Sequence, residues 1–123
     1  MRRVIICAVV LAVAAACEKA PPPAPPTGAV PAQLARGEAL FNAHCAACHG
    51  QRAMGTDHGP PFINPIYEPH HHGNDAFLLA ARRGVRAHHW QFGDMPPVPD
   101  VTEGDVGEIV SYIRWLQQQA GVY

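Results

Sequence analysis

The sequence has little net charge, no convincing β-strand pattern, no internal repeat and no second pair of closely spaced cysteines. Its 9 basic and 10 acidic residues nearly cancel, which leaves a formal charge of −1. No basic face stands out, and this argues against nucleic acid as a partner. The 123 residues are enough for one small domain with a thin hydrophobic core.

Long hydrophobic runs are also absent, because the apolar stretch at residues 4–16 is too short to span a bilayer. Arg2 and Arg3 precede this stretch, and it ends in the small residues of an alanine run at 14–16. A basic start, a short apolar core and a small-residue cleavage zone are typical of a secretory signal. We therefore expect residues 1–16 to be a signal peptide and the protein to be periplasmic.

Cys17 directly follows the expected cleavage zone. This position resembles that of the lipidated cysteine in bacterial lipoprotein signals, although Ala14 stands where such signals usually carry a large apolar residue. We expect a lipid anchor on Cys17 that holds the protein to a membrane. Ordinary cleavage within the alanine run is the alternative. Residues 17–32 then form the lipidation cysteine and a Pro-rich linker, which favours extended backbone.

The segment Cys45-Ala46-Ala47-Cys48-His49 is the most informative in the chain. C-x-x-C-H is the attachment signature of a c-type haem, in which the two thiols form thioethers and the histidine supplies the proximal imidazole. A structural zinc site usually draws four ligands from two spaced pairs, and this chain has only one Cys pair. Zinc is therefore a less favoured alternative, which would need ligands from among the 8 histidines. A thioredoxin-like motif would need a βαβ setting, which is not visible. We therefore expect one covalently attached haem c.

Two helices flank a loop in the middle of the chain. The pattern around the haem motif predicts a first helix over about residues 32–46, followed by a Gly-, Pro- and His-rich loop at 50–73. A short helix follows, which we expect to be capped by Asn74 or Asp75 and ended by Gly84.

A last helix opens at the capping-box pattern Thr102-Glu103-Gly104-Asp105. Its apolar residues recur at helical spacing and predict one buried stripe. The stripe consists of Val106, Ile109, Val110, Ile113 and Leu116.

This order of elements resembles the class I, single-haem cytochromes c of bacteria over residues 33–121. Gly37 and Phe41 match the family's G-x-x-x-aromatic pattern in the first helix, and Tyr112 and Trp115 lie where the last helix meets that glycine. The resemblance implies an all-α fold, a cytochrome c-like small helical domain wrapped around one covalently attached haem.

The resemblance also implies roles for further residues around the haem. Met95, in a Met-Pro turn, corresponds to the sixth ligand of the iron opposite His49. The carbonyl of Pro60 corresponds to the acceptor for the proximal histidine, with Pro61 as the adjacent alternative. Trp90 stands where some relatives donate an indole N–H to a haem propionate, and core packing is an equal alternative.

We expect an electron-transfer protein and not an enzyme, since two axial ligands leave the iron without an open position. Its partners would be a donor and an acceptor protein in brief encounters. A haem peroxidase or gas sensor with a labile distal ligand is one alternative, and a fixed subunit of a larger complex is another. A third is metal handling by the consecutive His70, His71 and His72, whose imidazoles could chelate copper, nickel or zinc. His88 and His89 directly precede Trp90 and are the rivals of Met95 as iron ligand.

Overall fold

Residues 23–122 are described by the structure, a computed structural model, and the regular elements in this range are helices. The four α-helices are α1 (Ala35–His44), α2 (Ala46–His49), α3 (Asn74–Arg83) and α4 (Glu103–Gln119), with short 3-10 helices at Ala32–Leu34, Gln51–Ala53 and Pro65–Tyr67. An isolated antiparallel bridge joins Val85 and Met95. The all-α prediction is confirmed. None of the helices in the described range is long and apolar enough to cross a membrane.

The core forms where α1 crosses α4. Phe41 of α1 is fully buried against Tyr112 of α4, with ring centroids 5.6 Å apart. The predicted stripe on α4 is buried along its whole length. Ile109, Ile113 and Leu116 belong to the core around Phe41, whereas Val106 and Val110 lie on the side of α4 that faces α3. The α1–α4 pair therefore forms the scaffold on which the loops of residues 50–73 and 84–102 are held.

The helix ends agree with the sequence in α4 and differ in α3. Thr102 caps α4, with its side chain bonded to the backbone N–H of Asp105 and the Asp105 carboxylate bonded back to the backbone of Thr102. The expected capping of α3 by Asn74 or Asp75 is wrong, since the N-cap is Gly73. The side chain of Asn74 instead accepts a hydrogen bond from Arg114 of α4. Gly84 ends α3 with a φ of +74°, as expected for a C-terminal glycine.

The described part of the Pro-rich segment packs on the helical domain. Arg52 donates from Nε to the carbonyl of Pro26 at 2.7 Å and from a terminal nitrogen to the carbonyl of Gly28 at 2.9 Å. Pro26 is buried, and Val30 packs against the core. The packed region therefore reaches further toward the N-terminus than the expected boundary at residue 33.

Candidate functional site

A cavity of about 670 Å³ lies beside the C-x-x-C-H segment. Its volume is within the range of sites that hold a drug-sized ligand or cofactor. The side chains of Phe62, Phe77, Ile109 and Ile113 give it an apolar lining. The six residues that the sequence singled out, Cys45, Cys48, His49, Pro60, Trp90 and Met95, all line this one cavity.

Cys45 and Cys48 lie within one turn of chain at the edge of the cavity. The short helix α2 holds them there, and the backbone N–H of His49 bonds to the carbonyl of Cys45 at 2.9 Å. Burial, together with the neighbouring Cys48, raises the pKa of Cys45 to about 11. A redox-active C-x-x-C motif has a lowered thiol pKa, so this arrangement does not favour thiol–disulfide exchange.

His49 is buried, and its ring orientation is fixed. Its Nδ1 lies 3.0 Å from the carbonyl oxygen of Pro60, and its ring stacks on Phe62 with centroids 4.1 Å apart. A carbonyl can only accept, so Nδ1 carries the proton and Nε2 keeps a free lone pair. Burial lowers the pKa of His49, partly offset by the bond to Pro60. The imidazole is therefore neutral at neutral pH and able to bind a metal.

The backbone of Met95 is held by the strand-like bridge that follows α3. Reciprocal backbone hydrogen bonds of 2.9 Å join Met95 and Val85. Gly84 packs so closely that a Cβ there would overlap the Met95 carbonyl. Pro96 and Pro97 follow, and both restrict the backbone on the C-terminal side. Met95 is thus a half-buried thioether on a constrained turn of the cavity wall.

Trp90 has a buried indole Nε1 without a hydrogen-bond partner in the described part of the chain. Burial raises the pKa of Tyr67, an effect that the nearby Trp90 indole partly offsets. The indole is therefore close enough to influence the phenol but does not meet hydrogen-bond geometry. A buried indole N–H usually has an acceptor, so this orphaned donor suggests an acceptor supplied by a bound molecule.

A group of histidines stands at the mouth of the cavity. His72, His88 and His89 belong to its lining, and the Nε2 atoms of His71 and His89 are 3.3 Å apart. Desolvation and the three neighbouring imidazoles lower the pKa of His89. The sequence suggested a consecutive trio at 70–72, whereas the structure groups His71 and His72 with His89.

Two residues of α4 that the sequence analysis did not single out hold the loop beneath the cavity. Gln117 is buried, and its amide nitrogen donates to the carbonyls of Phe62 and Tyr67 at 2.9 and 3.0 Å. Arg114 donates to the carbonyls of Tyr67 and His72. The position of Gln117, four residues after Ile113 on the apolar stripe, was the available sequence signal for a buried polar group.

The residues present fit a covalently held haem. The cavity offers a large apolar volume, two free thiols at its edge and a neutral imidazole whose free nitrogen is the metal-binding one. The orphaned Trp90 N–H adds a donor suited to a carboxylate.

Comparisons with known proteins point in the same direction. The family model for cytochrome c matches residues 34–117. Among solved structures, the crystal structure of the c-type cytochrome XoxG from Methylobacterium extorquens AM1 matches with a TM-score of 0.57 and 19% identity, covering 72% of this chain and 53% of that one. The chain thus spans about half the length of that protein, and the likeness concerns the fold. A search of curated proteins found no match.

Proposed function

The chain belongs to the cytochrome c family, whose cofactor is a covalently attached haem c, and on this premise we propose that it is a single-haem electron carrier with His49 and Met95 as axial ligands. The family implies electron transfer in general, whereas the pairing of His49 with Met95 as ligands is specific to this chain. The observation that carries it is that the fixed imidazole of His49 and the constrained thioether of Met95 line the same apolar cavity. Haem bound there supplies an iron that takes up and releases one electron.

The chain's own residues would set the properties of that iron. Cys45 and Cys48 hold the group by thioether bonds, which keeps it in place through repeated encounters with partners. The Pro60 carbonyl raises the basicity of His49 by accepting its Nδ1 proton. Met95, a soft and neutral ligand, favours the reduced iron and raises the potential. The apolar lining excludes water, which also favours the state of lower charge.

The surface for redox partners would lie at the mouth of the cavity. Leu79 and Phe92 line it and are 47% and 40% exposed, so both present apolar surface to solvent at this point. Small exposed apolar patches suit the brief, low-area contacts of electron-transfer proteins. The donor and acceptor would be proteins that cover these two residues for short periods.

The test of the ligand pair uses the haem-loaded protein and two methionine variants. Met95→Ala should abolish the weak long-wavelength charge-transfer band that sulfur ligation gives to ferric haem. It should also lower the potential and open the iron to carbon monoxide. Met54→Ala is the matched control, because Met54 lies outside the cavity lining and is 37% exposed. If the wild type lacks the band and binds carbon monoxide readily, the carrier assignment is wrong and a gas-binding or peroxidase role takes its place.

We further propose that the exported protein is held to a membrane by a lipid on Cys17, with the Pro-rich segment as its tether. Residues 1–16 and Cys17 lie outside the described residues, so this proposal is supported by their sequence alone. Cys17→Ser should move the protein from the membrane fraction to the soluble periplasmic fraction. An intact mass without added acyl groups on the wild type would leave a soluble periplasmic cytochrome.

A further inference from the structure

Three imidazoles converge beside the haem cavity without any role in the axial pair. One ligand atom from each of His71, His72 and His89 lies within 4.8 Å of the other two. His71 and His89 are 18 residues apart in sequence, and their Nε2 atoms are 3.3 Å apart in space. The fold therefore brings the loop after Tyr67 and the loop after α3 together at one point.

One ring of the trio is held in an orientation suited to metal binding. Nδ1 of His72 lies 2.6 Å from the carbonyl of Ile66, so this nitrogen carries the proton and Nε2 is left free. Next to the trio, Nδ1 of His88 lies 2.9 Å from the carbonyl of Arg86, which fixes it in the same way. Metal-binding histidines almost always donate the second ring N–H to a carboxylate, a backbone carbonyl or water, and His72 has the carbonyl form of this arrangement.

We propose that His71, His72 and His89 form a binding site for one divalent cation of the Zn²⁺, Cu²⁺ and Ni²⁺ class. The trio offers only imidazole nitrogens, which suit these borderline cations, whereas Ca²⁺ and Mg²⁺ require oxygen ligands. Three protein ligands leave a fourth position for water or for His88, whose ring centroid is 4.3 Å from that of His89. His70 is exposed and does not belong to the trio.

A cation bound at this site would lie close enough to the haem to change its midpoint potential. His72 and His89 also line the haem cavity, so a bound cation would add positive charge beside it. A nearby positive charge disfavours the ferric state, because ferric iron carries one more positive charge than ferrous iron. This step rests on the proposed function, since it requires a redox-active haem in the cavity. Occupancy by Zn²⁺ should therefore raise the midpoint potential.

Titration calorimetry of the ferric, haem-loaded protein with Zn²⁺ tests the site directly, provided that the protein carries no polyhistidine tag. We expect one Zn²⁺ per chain. His71→Ala and His89→Ala should each weaken binding by about tenfold or more. His70→Ala is the matched control and should bind as the wild type does. Both tested residues are exposed, so the variants should retain the fold. Absence of one-to-one binding, or an equal loss in His70→Ala, would overturn the proposal.

Two further measurements separate this site from the axial ligands. Copper titration of the ferric protein should give a Cu²⁺ resonance with nitrogen hyperfine structure, and His71→Ala should change it while the haem spectrum stays the same, because His71 lies outside the cavity lining. A wild-type haem spectrum with two imidazole ligands, replaced by a five-coordinate spectrum in His89→Ala, would mean that His89 binds the iron, which overturns the second site. Zn²⁺ should raise the potential of the wild type but not of His89→Ala, and an unchanged wild-type potential would refute the coupling. Failure of the Met95 test leaves the calorimetric result standing, so the two proposals can fail separately.

Discussion

Gly37 of α1 lies directly against the backbone of Glu108 in α4. A Cβ on Gly37 would overlap the carbonyl oxygen of Glu108 and lie only 3.2 Å from the Cβ of Tyr112. The obstacle is backbone, which cannot rotate away as a side chain can. The close crossing of the two helices therefore depends on the absence of a side chain at this position.

Gly37→Ala should destabilise the protein by about 1–3 kcal/mol, the usual effect of inserting a methyl group into a filled contact. Gly107→Ala is the matched control on α4, because a Cβ there would meet nothing within 4 Å. That change should stabilise the helix by about 0.5–1 kcal/mol. Denaturant unfolding of the haem-loaded variants measures both effects. Equal effects of the same sign at the two positions would contradict the close-contact argument.

Much of this fold was predictable because its determinants are local in the sequence. The helical period of Val106 to Leu116 predicted the buried face of α4, and the Thr102 pattern predicted its start. The haem motif predicted the cofactor because C-x-x-C-H encodes both attachment and ligation within five consecutive residues.

The features that escaped prediction depend on contacts between distant parts of the chain. The start of α3 was misjudged because Asn74 bonds to Arg114, 40 residues away, and does not cap its own helix. The contact of Arg52 with Pro26 is equally non-local. In the histidine group, adjacency in sequence suggested His70, whereas the folded loops bring His89 to His71 and His72.

The cap of α4 should make stability depend on pH in the acidic range. Hydrogen bonds from Thr102 and the Arg36 guanidinium lower the pKa of Asp105 from 3.8 to about 2. Because the folded pKa is the lower one, the contribution of Asp105 is complete above about pH 4 and is lost as the pH falls to about 2. Asp105→Asn should lower stability at neutral pH, and its difference from the wild type should shrink over this window. Thermal unfolding of both proteins from pH 2 to 7 measures this difference in stability.

The carboxylate of Asp57 provides the control for this experiment, since its side chain is 85% exposed in a loop and its 3.4 Å contact with the exposed His58 is screened by solvent. Asp57→Asn should follow the wild-type profile across the same range. A difference between wild type and Asp105→Asn that stays constant from pH 4 to 2 would refute the role of the charged carboxylate.

Gln117 should be more important to the loop beneath the cavity than its size suggests. Gln117→Leu conserves volume but leaves the buried carbonyl of Phe62 without its donor and the Arg114 guanidinium without one acceptor. We expect a loss of about 1–3 kcal/mol. The neighbouring Gln118 is exposed, and Gln118→Leu should change stability by no more than about 0.5 kcal/mol. Chemical denaturation compares the pair, and similar losses would show that hydrophobic substitution alone is responsible.

Arg52 should fix the point at which the Pro-rich segment leaves the domain. Its guanidinium bonds two carbonyls of that segment and lies over the ring of Trp115, 5.5 Å from the centroid. Arg52→Lys keeps the charge but loses the two-pronged geometry. The backbone order parameter of Gly28, measured by NMR relaxation, should then fall from about 0.85 to below about 0.6. Arg86→Ala, at an exposed position, should leave Gly28 unchanged. A rigid Gly28 in Arg52→Lys would mean that packing alone docks the segment.

Trp90 should influence the haem through its unpartnered indole N–H. Trp90→Phe keeps an aromatic ring in the cavity wall but removes the donor. If the donor stabilises an ionised propionate, its loss should lower the midpoint potential at neutral pH, because the negative charge beside the iron is less well compensated. The propionate pKa should rise, so the pH range in which the potential changes should move upward.

Trp115→Phe is the control for Trp90→Phe, since Trp115 packs on Tyr112 outside the cavity lining. Potentiometric titration from pH 4 to 9 measures all three proteins. Overlapping curves for Trp90→Phe and wild type would leave Trp90 as a packing residue only.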